Sequence, residues 1–289
     1  MDRAVGRGGL DLSLCAHCAR VLTSISMSAI HVFFFRGMST SGSDNARFTF
    51  LDFGPMCRHL QQAFDRREVQ FHPVTGMGKG TIAEMAARAR AFLENHPVWR
   101  APDQRVHFLG HSAGGLVARH LLMEPGIPKE KVLGFLTVAT PHLGAKLADV
   151  CIGLPDKYPG SNFTLRLAGF NMRRHKSFFE VFTGEGVTRV FKGKTVADLA
   201  AARVASVVCA APRNEWCLPL RLFYILRAFN DFDDYTDGMI ERDTQPFGEV
   251  LAELKIDHWR QAGFFGEHHR FQQMCDVLHG FFVTTQQQS

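Results

Sequence analysis

The chain has 289 residues, of which 46% are hydrophobic, 11% aromatic and 21% charged. This apolar composition excludes a disordered chain, and 26 glycines with 12 prolines are too few for a fibrous repeat. The net charge of +5 is mild, and because nucleic-acid-binding proteins concentrate basic residues more strongly, we expect no nucleic-acid partner. The length fits one large α/β domain with an insertion.

The first thirty residues do not resemble a targeting segment. The stretch from Leu10 to Ile30 is only half apolar and lacks the continuous hydrophobic core of a signal peptide. No window of the sequence reaches the roughly 18 uninterrupted apolar residues that a membrane span needs. We therefore expect a cytoplasmic protein. Because Met27 directly precedes the first convincing strand, we interpret residues 1–26 as a tail outside the fold and residues 27–289 as one domain.

Seven cysteines are scattered along the chain, which is typical of a protein from a reducing compartment rather than of a disulfide framework. Cys15 and Cys18 form a CxxC pair in the tail, but no second pair accompanies them. A zinc or redox role for this pair is therefore not favoured. We expect neither a metal nor a cofactor.

Short apolar runs alternate with helical periodicity along the chain. The apolar runs predict strands over Ile30 to Phe35, Val69 to Val74, Val106 to Leu109, Val132 to Val138 and Val204 to Ala211. Apolar residues at helical spacing predict helices over 56–64, 82–93, 116–123 and 271–281. Apolar strands that alternate with helices indicate an α/β fold with a parallel sheet covered on both faces.

This rhythm breaks after Lys146, and residues 150–200 are interpreted as an insertion in the same domain. Between 161 and 182 the segment interleaves phenylalanines with arginine, lysine and histidine. One interpretation is a basic, apolar lid over an acyl pocket that also contacts a lipid surface, with Phe178 and Phe179 binding substrate. The alternative is a cap that buries its phenylalanines against the sheet and exposes its basic face.

The segment Gly110-His-Ser112-Ala-Gly114 fits the G-x-S-x-G pattern of a nucleophile elbow. It directly follows the strand that ends at Leu109 and precedes a predicted helix. A sharp strand-to-helix turn lifts a serine hydroxyl clear of the sheet, and glycines flank it because side chains there would clash. The alternative is a glycine-rich turn with a serine that only caps the helix.

Three further segments follow the elbow in the order Thr140-Pro-His-Leu-Gly144, Asp237-Gly-Met-Ile240 and Asp257-His-Trp259. Together with the elbow they resemble the motifs of α/β-hydrolases of the bacterial lipase and esterase kind. The resemblance covers residues 30–150 and 204–282. It implies a mostly parallel sheet flanked by helices, with a helical lid inserted at about 150–200.

The resemblance also implies a catalytic triad of Ser112, Asp237 and His258. A serine hydroxyl needs an imidazole to take its proton, and the imidazole needs a carboxylate to fix its tautomer. The order Ser…Asp…His is the order of this fold. Other residues of the same types compete for these roles: His111, His142, His268, His269 and His279 for the base, and Asp231, Asp233, Asp234 and Asp243 for the acid.

An oxyanion hole needs backbone N–H donors. The resemblance assigns one donor to Ala113 and the other to Met38, in a loop where Arg36 replaces the family's histidine. Secreted relatives carry a calcium-binding carboxylate just after the histidine. Because Trp259 follows His258 here, we expect no calcium at that position.

These observations predict a serine carboxylester hydrolase that acts through an acyl-enzyme on an ester with an apolar acyl chain. The same triad would also serve an amidase or a thioesterase. A hydrolase-fold protein that binds lipid or a partner without turnover is the alternative from another class. The oligomeric state, the acyl length and the alcohol stay open.

Overall fold

The computed structural model describes residues 29–37, 55–157, 179–218, 220–221, 235–264 and 268–288. The predicted tail with Cys15 and Cys18, and the central part of the predicted lid, lie outside these ranges. Within them, Cys57, Cys209, Cys217 and Cys275 are free and buried. No helix in these ranges is long and apolar enough to cross a membrane.

A parallel sheet of six strands forms the centre of the protein. The strands of the described chain are β1 Ile30–Phe35, β2 Val69–Pro73, β3 Val106–His111, β4 Val132–Val138, β5 Arg203–Cys209, β6 Ala211–Pro212, β7 Tyr235–Thr236 and β8 Glu249–Leu254. The sheet order is β2-β1-β3-β4-β5-β8 with every neighbouring pair parallel, while β6 and β7 form a small antiparallel pair. The predicted parallel sheet is confirmed.

Helices cover both faces of this sheet. They are α1 Pro55–Ala63, α2 Ile82–Asn95, α3 Pro97–Arg100, α4 Ala113–Met123, α5 Lys146–Lys157, α6 Gly184–Phe191 and α7 His268–Gln287. Successive side chains of a strand point to opposite faces. Accordingly, Phe71 of β2 contacts Phe282 of α7, whereas its neighbour His72 contacts His96 at the end of α2. The side chains of β3 and β4 are buried on both faces, as their continuous apolar runs predicted.

Several elements differ from the sequence prediction. Strand β8 was not predicted, because it lies at the sheet edge, is partly exposed and includes Glu249 and Glu253. Helix α4 begins at Ala113 rather than Leu116, directly after the elbow. Helices α5 and α6 occupy parts of the segment interpreted as an insertion. The strand predicted up to Ala211 ends at Cys209.

Candidate active site

Ser112 stands at a sharp turn between β3 and α4. Its backbone has φ 53° and ψ −134°, a conformation that non-glycine residues rarely adopt. Its N–H donates to the carbonyl of Val138 at 3.0 Å, and its own carbonyl accepts from Gly115 at 3.0 Å. These bonds fix the turn between the neighbouring strand and the first turn of α4. The geometry is that of the predicted elbow.

The glycines around Ser112 are required by close packing. A Cβ on Gly110 would lie 2.4 Å from the Cα of Gly115, and one on Gly114 would lie 2.2 Å from the carbonyl oxygens of Phe35 and Arg36. No real Cβ approaches other heavy atoms so closely. The glycines therefore let α4 begin directly against the end of β1.

Asp237 and His258 form a buried pair. The Nδ1 atom of His258 lies 2.6 Å from Oδ2 of Asp237, and neither side chain is exposed. The other oxygen, Oδ1, accepts from the backbone N–H groups of Met239 at 2.9 Å and Ile240 at 2.7 Å. The backbone N–H of His258 donates to the carbonyl of Asp237 at 2.8 Å. The carboxylate is thus held on both oxygens, and His258 is joined to Asp237 both through its ring and through its backbone.

Gln261 extends this pair toward the elbow, and sequence reasoning missed it. Its Nε2 donates to Oδ2 of Asp237 at 3.0 Å, and its Oε1 lies 3.0 Å from Nε2 of His111. No signal in the sequence marks Gln261, because its contact with His111 joins residues 150 positions apart. Burial, with the neighbouring His258 as a smaller cause, lowers the pKa of His111 well below its usual value. Neutral His111 can therefore donate to the Gln261 amide oxygen.

His258 lies beside the elbow. Its ring centre is 4.9 Å from that of His111, the residue that precedes Ser112. Ser112 also lines the same small cavity as Met239 and Ile240, which belong to the turn of Asp237. The structure therefore gathers the three predicted triad residues at one end of the sheet.

The competing residues occupy other places. His142 stacks on Phe247, with ring centres 4.4 Å apart. His279 pairs with Glu68 at 2.7 Å on the surface. His268 and His269 lie at the start of α7, and Asp243 is exposed in a short turn. Asp231, Asp233 and Asp234 lie outside the described residues.

The predicted oxyanion donors are described only in part. Ala113 begins α4 next to Ser112 and lines the cavity. Met38 lies outside the described residues, which end at Gly37 in this loop. The carbonyl of Arg36, two residues earlier, faces Gly114 at the start of α4. The loop after β1 therefore starts next to the elbow, where the second donor was predicted.

A cavity of about 40 Å³ adjoins Ser112. Its walls are mainly apolar and include Ala145 and Ala148 together with Phe179 and Phe182. Of the two residues predicted to bind substrate, Phe179 lines this cavity, and Phe178 lies outside the described residues. In the ranges that the structure describes, no group of three or more His, Cys, Asp or Glu side chains is arranged to hold a metal ion.

Comparison with known proteins agrees with this architecture. Residues 92–152 match the family model of the PGAP1-like alpha/beta domain. No curated protein matched the sequence. Among solved structures, a lipase of Bacillus licheniformis in its mature form is similar with a TM-score of 0.59 and 15% identity, over 86% of this chain and 93% of that one. The protein has the α/β-hydrolase fold.

Two other structures share the α/β-hydrolase fold with this chain. The lipase of Staphylococcus hyicus gives a TM-score of 0.59 at 13% identity, over 91% of this chain and 97% of that one. A metagenomic carboxyl esterase gives 0.56 at 18% identity, over 81% of this chain, which covers 66% of the esterase. The resemblance to bacterial lipases and esterases that the motifs indicated is confirmed.

Proposed function

We propose that this protein is a serine carboxylester hydrolase with Ser112 as nucleophile, His258 as general base and Asp237 as the residue that orients the base. The observation that carries the proposal is the buried 2.6 Å contact between Asp237 and His258 beside a strained serine elbow. A buried carboxylate on Nδ1 fixes the imidazole tautomer that leaves Nε2 to accept a proton.

In the proposed reaction, Oγ of Ser112 attacks the ester carbonyl carbon while Nε2 of His258 takes the hydroxyl proton. The carbonyl π electrons move onto oxygen, and the backbone N–H of Ala113 donates to this oxyanion, with Met38 as the proposed second donor. The tetrahedral intermediate then expels the alcohol, which receives the proton from His258. Water attacks the acyl-enzyme by the same route and restores the free serine.

The acyl chain is proposed to occupy the cavity beside Ser112. Its apolar walls exclude water from the acyl group, and burial of each CH₂ contributes roughly 0.8 kcal/mol. Phe179 and Phe182 form the wall that belongs to the segment predicted as a lid at 150–200. In this proposal, the lid is inserted at about 150–200 and the tail over 1–26 lies outside the fold.

The proposal is tested by the turnover of a nitrophenyl butyrate ester. Ser112→Ala and His258→Ala should each lower kcat by a factor on the order of 10⁴ or more, and the double variant should lose little further activity because the residues act as a unit. Asp237→Asn should also cause a large loss, because the amide no longer fixes the imidazole.

Asp243→Asn and His269→Ala are matched controls, since both residues are exposed. Each should keep activity within about twofold of the wild type, as surface substitutions away from a site usually do. Near-native activity of His258→Ala, combined with its loss in His269→Ala, would move the base to α7 and contradict the assignment.

A further inference from the structure

A second, larger cleft of about 350 Å³ opens at the carboxyl ends of β1 and β2. It is lined by side chains of β1, α1, the loop before β2 and the end of β2. Since β1 lies between β2 and β3 in the parallel sheet, this cleft and Ser112 lie at the same carboxyl-terminal end of the strands. The apolar cavity lies on the other side of Ser112, toward β4 and α5.

The cleft carries an excess of positive charge. Arg36, Arg58 and Arg66 all line it, and none of its described lining residues is acidic. The side chains of Arg58 and Arg66 make no ion pair within the described chain. A cleft whose described lining has two exposed, unpaired guanidinium groups, those of Arg58 and Arg66, and no carboxylate favours an anionic ligand.

The two carboxylates nearest in sequence to Arg66, those of Asp65 and Glu68, make other contacts. Oδ1 of Asp65 accepts from the backbone N–H of Arg67 at 2.8 Å. Glu68 contacts His279 of α7 at 2.7 Å. Neither carboxylate lines the cleft, so the described lining offers no carboxylate to pair with Arg58 or Arg66.

The cleft is built on fixed elements. Gln61, one turn after Arg58 on α1, donates to the carbonyl of Val69 at 3.1 Å and accepts from the N–H of Phe71 at 2.9 Å. These two bonds tie α1 to β2. Arg36 is nine-tenths buried, and its carbonyl packs against the elbow glycine Gly114. One wall of the cleft is therefore continuous with the backbone next to Ser112.

We propose that the alcohol part of the ester substrate carries an anionic group, a phosphate or a carboxylate, that binds Arg58 and Arg66. This inference rests on the proposed esterase function and specifies its substrate class. The acyl chain lies in the apolar cavity on one side of Ser112, and the alcohol extends into the cationic cleft on the other. Guanidinium groups suit this role because their planar N–H donors bind phosphate or carboxylate oxygens in pairs.

The test compares two esters that differ only in the anionic group, 1-butyrylglycerol 3-phosphate and 1-butyrylglycerol, by release of free butyrate. Both are short enough to stay monomeric in water, so no lipid surface is involved. We expect the wild type to prefer the phosphate-bearing ester at least tenfold in kcat/KM. The double variant R58Q/R66Q should reduce this ratio at least tenfold, and Arg67→Gln, whose side chain does not line the cleft, should retain it.

Binding is measured separately with Ser112→Ala, which keeps the cleft but lacks the proposed nucleophile. Glycerol 3-phosphate should bind this variant in calorimetry, and binding should weaken at least tenfold when R58Q/R66Q is added. If neither ester is hydrolysed but this binding pattern holds, the esterase proposal fails and the anion site stands.

Two other results would overturn the anionic substrate without affecting the esterase proposal. Hydrolysis of both esters at equal kcat/KM, unchanged by R58Q/R66Q, would overturn the anionic substrate while the esterase function stands. Inhibition by inorganic phosphate without preference for the phosphate-bearing ester would also overturn it, because the cleft would then bind free phosphate rather than the alcohol of the substrate.

Discussion

At the scale of single residues, the backbone of Ser112 is the feature with the clearest physical meaning. A non-glycine residue in such a conformation costs of order 1–3 kcal/mol and persists only where its surroundings impose it. Here the bonds to Val138 and Gly115 impose it. The sequence predicted the sharp turn at Ser112 because the motif places glycines at 110 and 114, where a Cβ would collide with the neighbouring backbone.

The pairing of Asp237 with His258 was also predicted, from the motif order and the glycine that follows Asp237. Gly238 has φ +90°, which confirms that the turn uses the conformational freedom of glycine. Gln261 was not predictable. Its role depends on a contact with His111 across 150 positions of the chain, and no local pattern indicates such a contact.

His107 supplies a prediction about pH and stability. It is fully buried in β3 against Phe281 and Phe282 of α7, and burial lowers its pKa to about 4 from a usual 6.5. The unfolded chain takes up the proton below pH 6.5, whereas the folded chain resists it until about pH 4. Stability is therefore lost as pH falls through this window.

Between pH 7 and pH 5 this residue alone should lower the free energy of unfolding by about 2 kcal/mol. His107→Leu should remove that part of the pH dependence in urea unfolding measured at both pH values. His269→Leu, at an exposed position of α7, is the control and should leave it unchanged. An equal pH dependence in His107→Leu and the wild type would contradict this account.

At the scale of elements, the buried strands were predicted most accurately from the sequence, whereas an exposed strand and a short helix were missed. Strands β1 and β4 were predicted to the residue because both are almost wholly buried and contain only two polar residues between them, His31 and Thr137. Edge strand β8 was missed because a strand with one neighbour needs fewer apolar side chains. Helix α6 was missed because its eight residues are too short for periodicity to stand out.

The packing of α4 against β1 gives a prediction at this scale. Gly114→Ala should lower the free energy of unfolding by at least 1–3 kcal/mol, the usual cost of overpacking, because its Cβ would collide with two backbone carbonyls. Activity should fall as well, since the helix start carries Ala113. Chemical unfolding and ester turnover measure the two effects.

Gly280 of α7 is the matched control. A Cβ there meets nothing within 4 Å. Gly280→Ala should therefore raise stability by about 1 kcal/mol, the difference in helix propensity between the two residues. Equal effects of the two substitutions would show that the approach of α4 to β1 does not require glycine.

At the scale of the whole molecule, the candidate site lies between an apolar cavity and a cationic cleft. The apolar side predicts acyl selectivity. A butyryl chain has two more CH₂ groups than acetyl, so burying them should favour the butyryl ester by roughly 1.6 kcal/mol, about tenfold in kcat/KM. A nitrophenyl acetate and butyrate pair measures this ratio.

Ala148→Phe should abolish that preference, because Ala148 is buried in the cavity wall and the larger side chain fills about 40 Å³ of space. Gly153→Phe places the same bulk on the exposed side of α5, where a side chain meets open space, and should keep the preference. Loss of both esters alike in Ala148→Phe would show that the cavity does not bind the acyl chain.

The central claim is that Ser112 is an activated nucleophile, and covalent trapping tests it most directly. A fluorophosphonate probe should add one adduct to the native protein, and peptide mass spectrometry should locate it on Ser112. His258→Ala should slow labelling by a factor on the order of 10³ or more, since the serine then lacks its base. An adduct on another residue, or labelling of Ser112→Ala at the wild-type rate, would contradict the account.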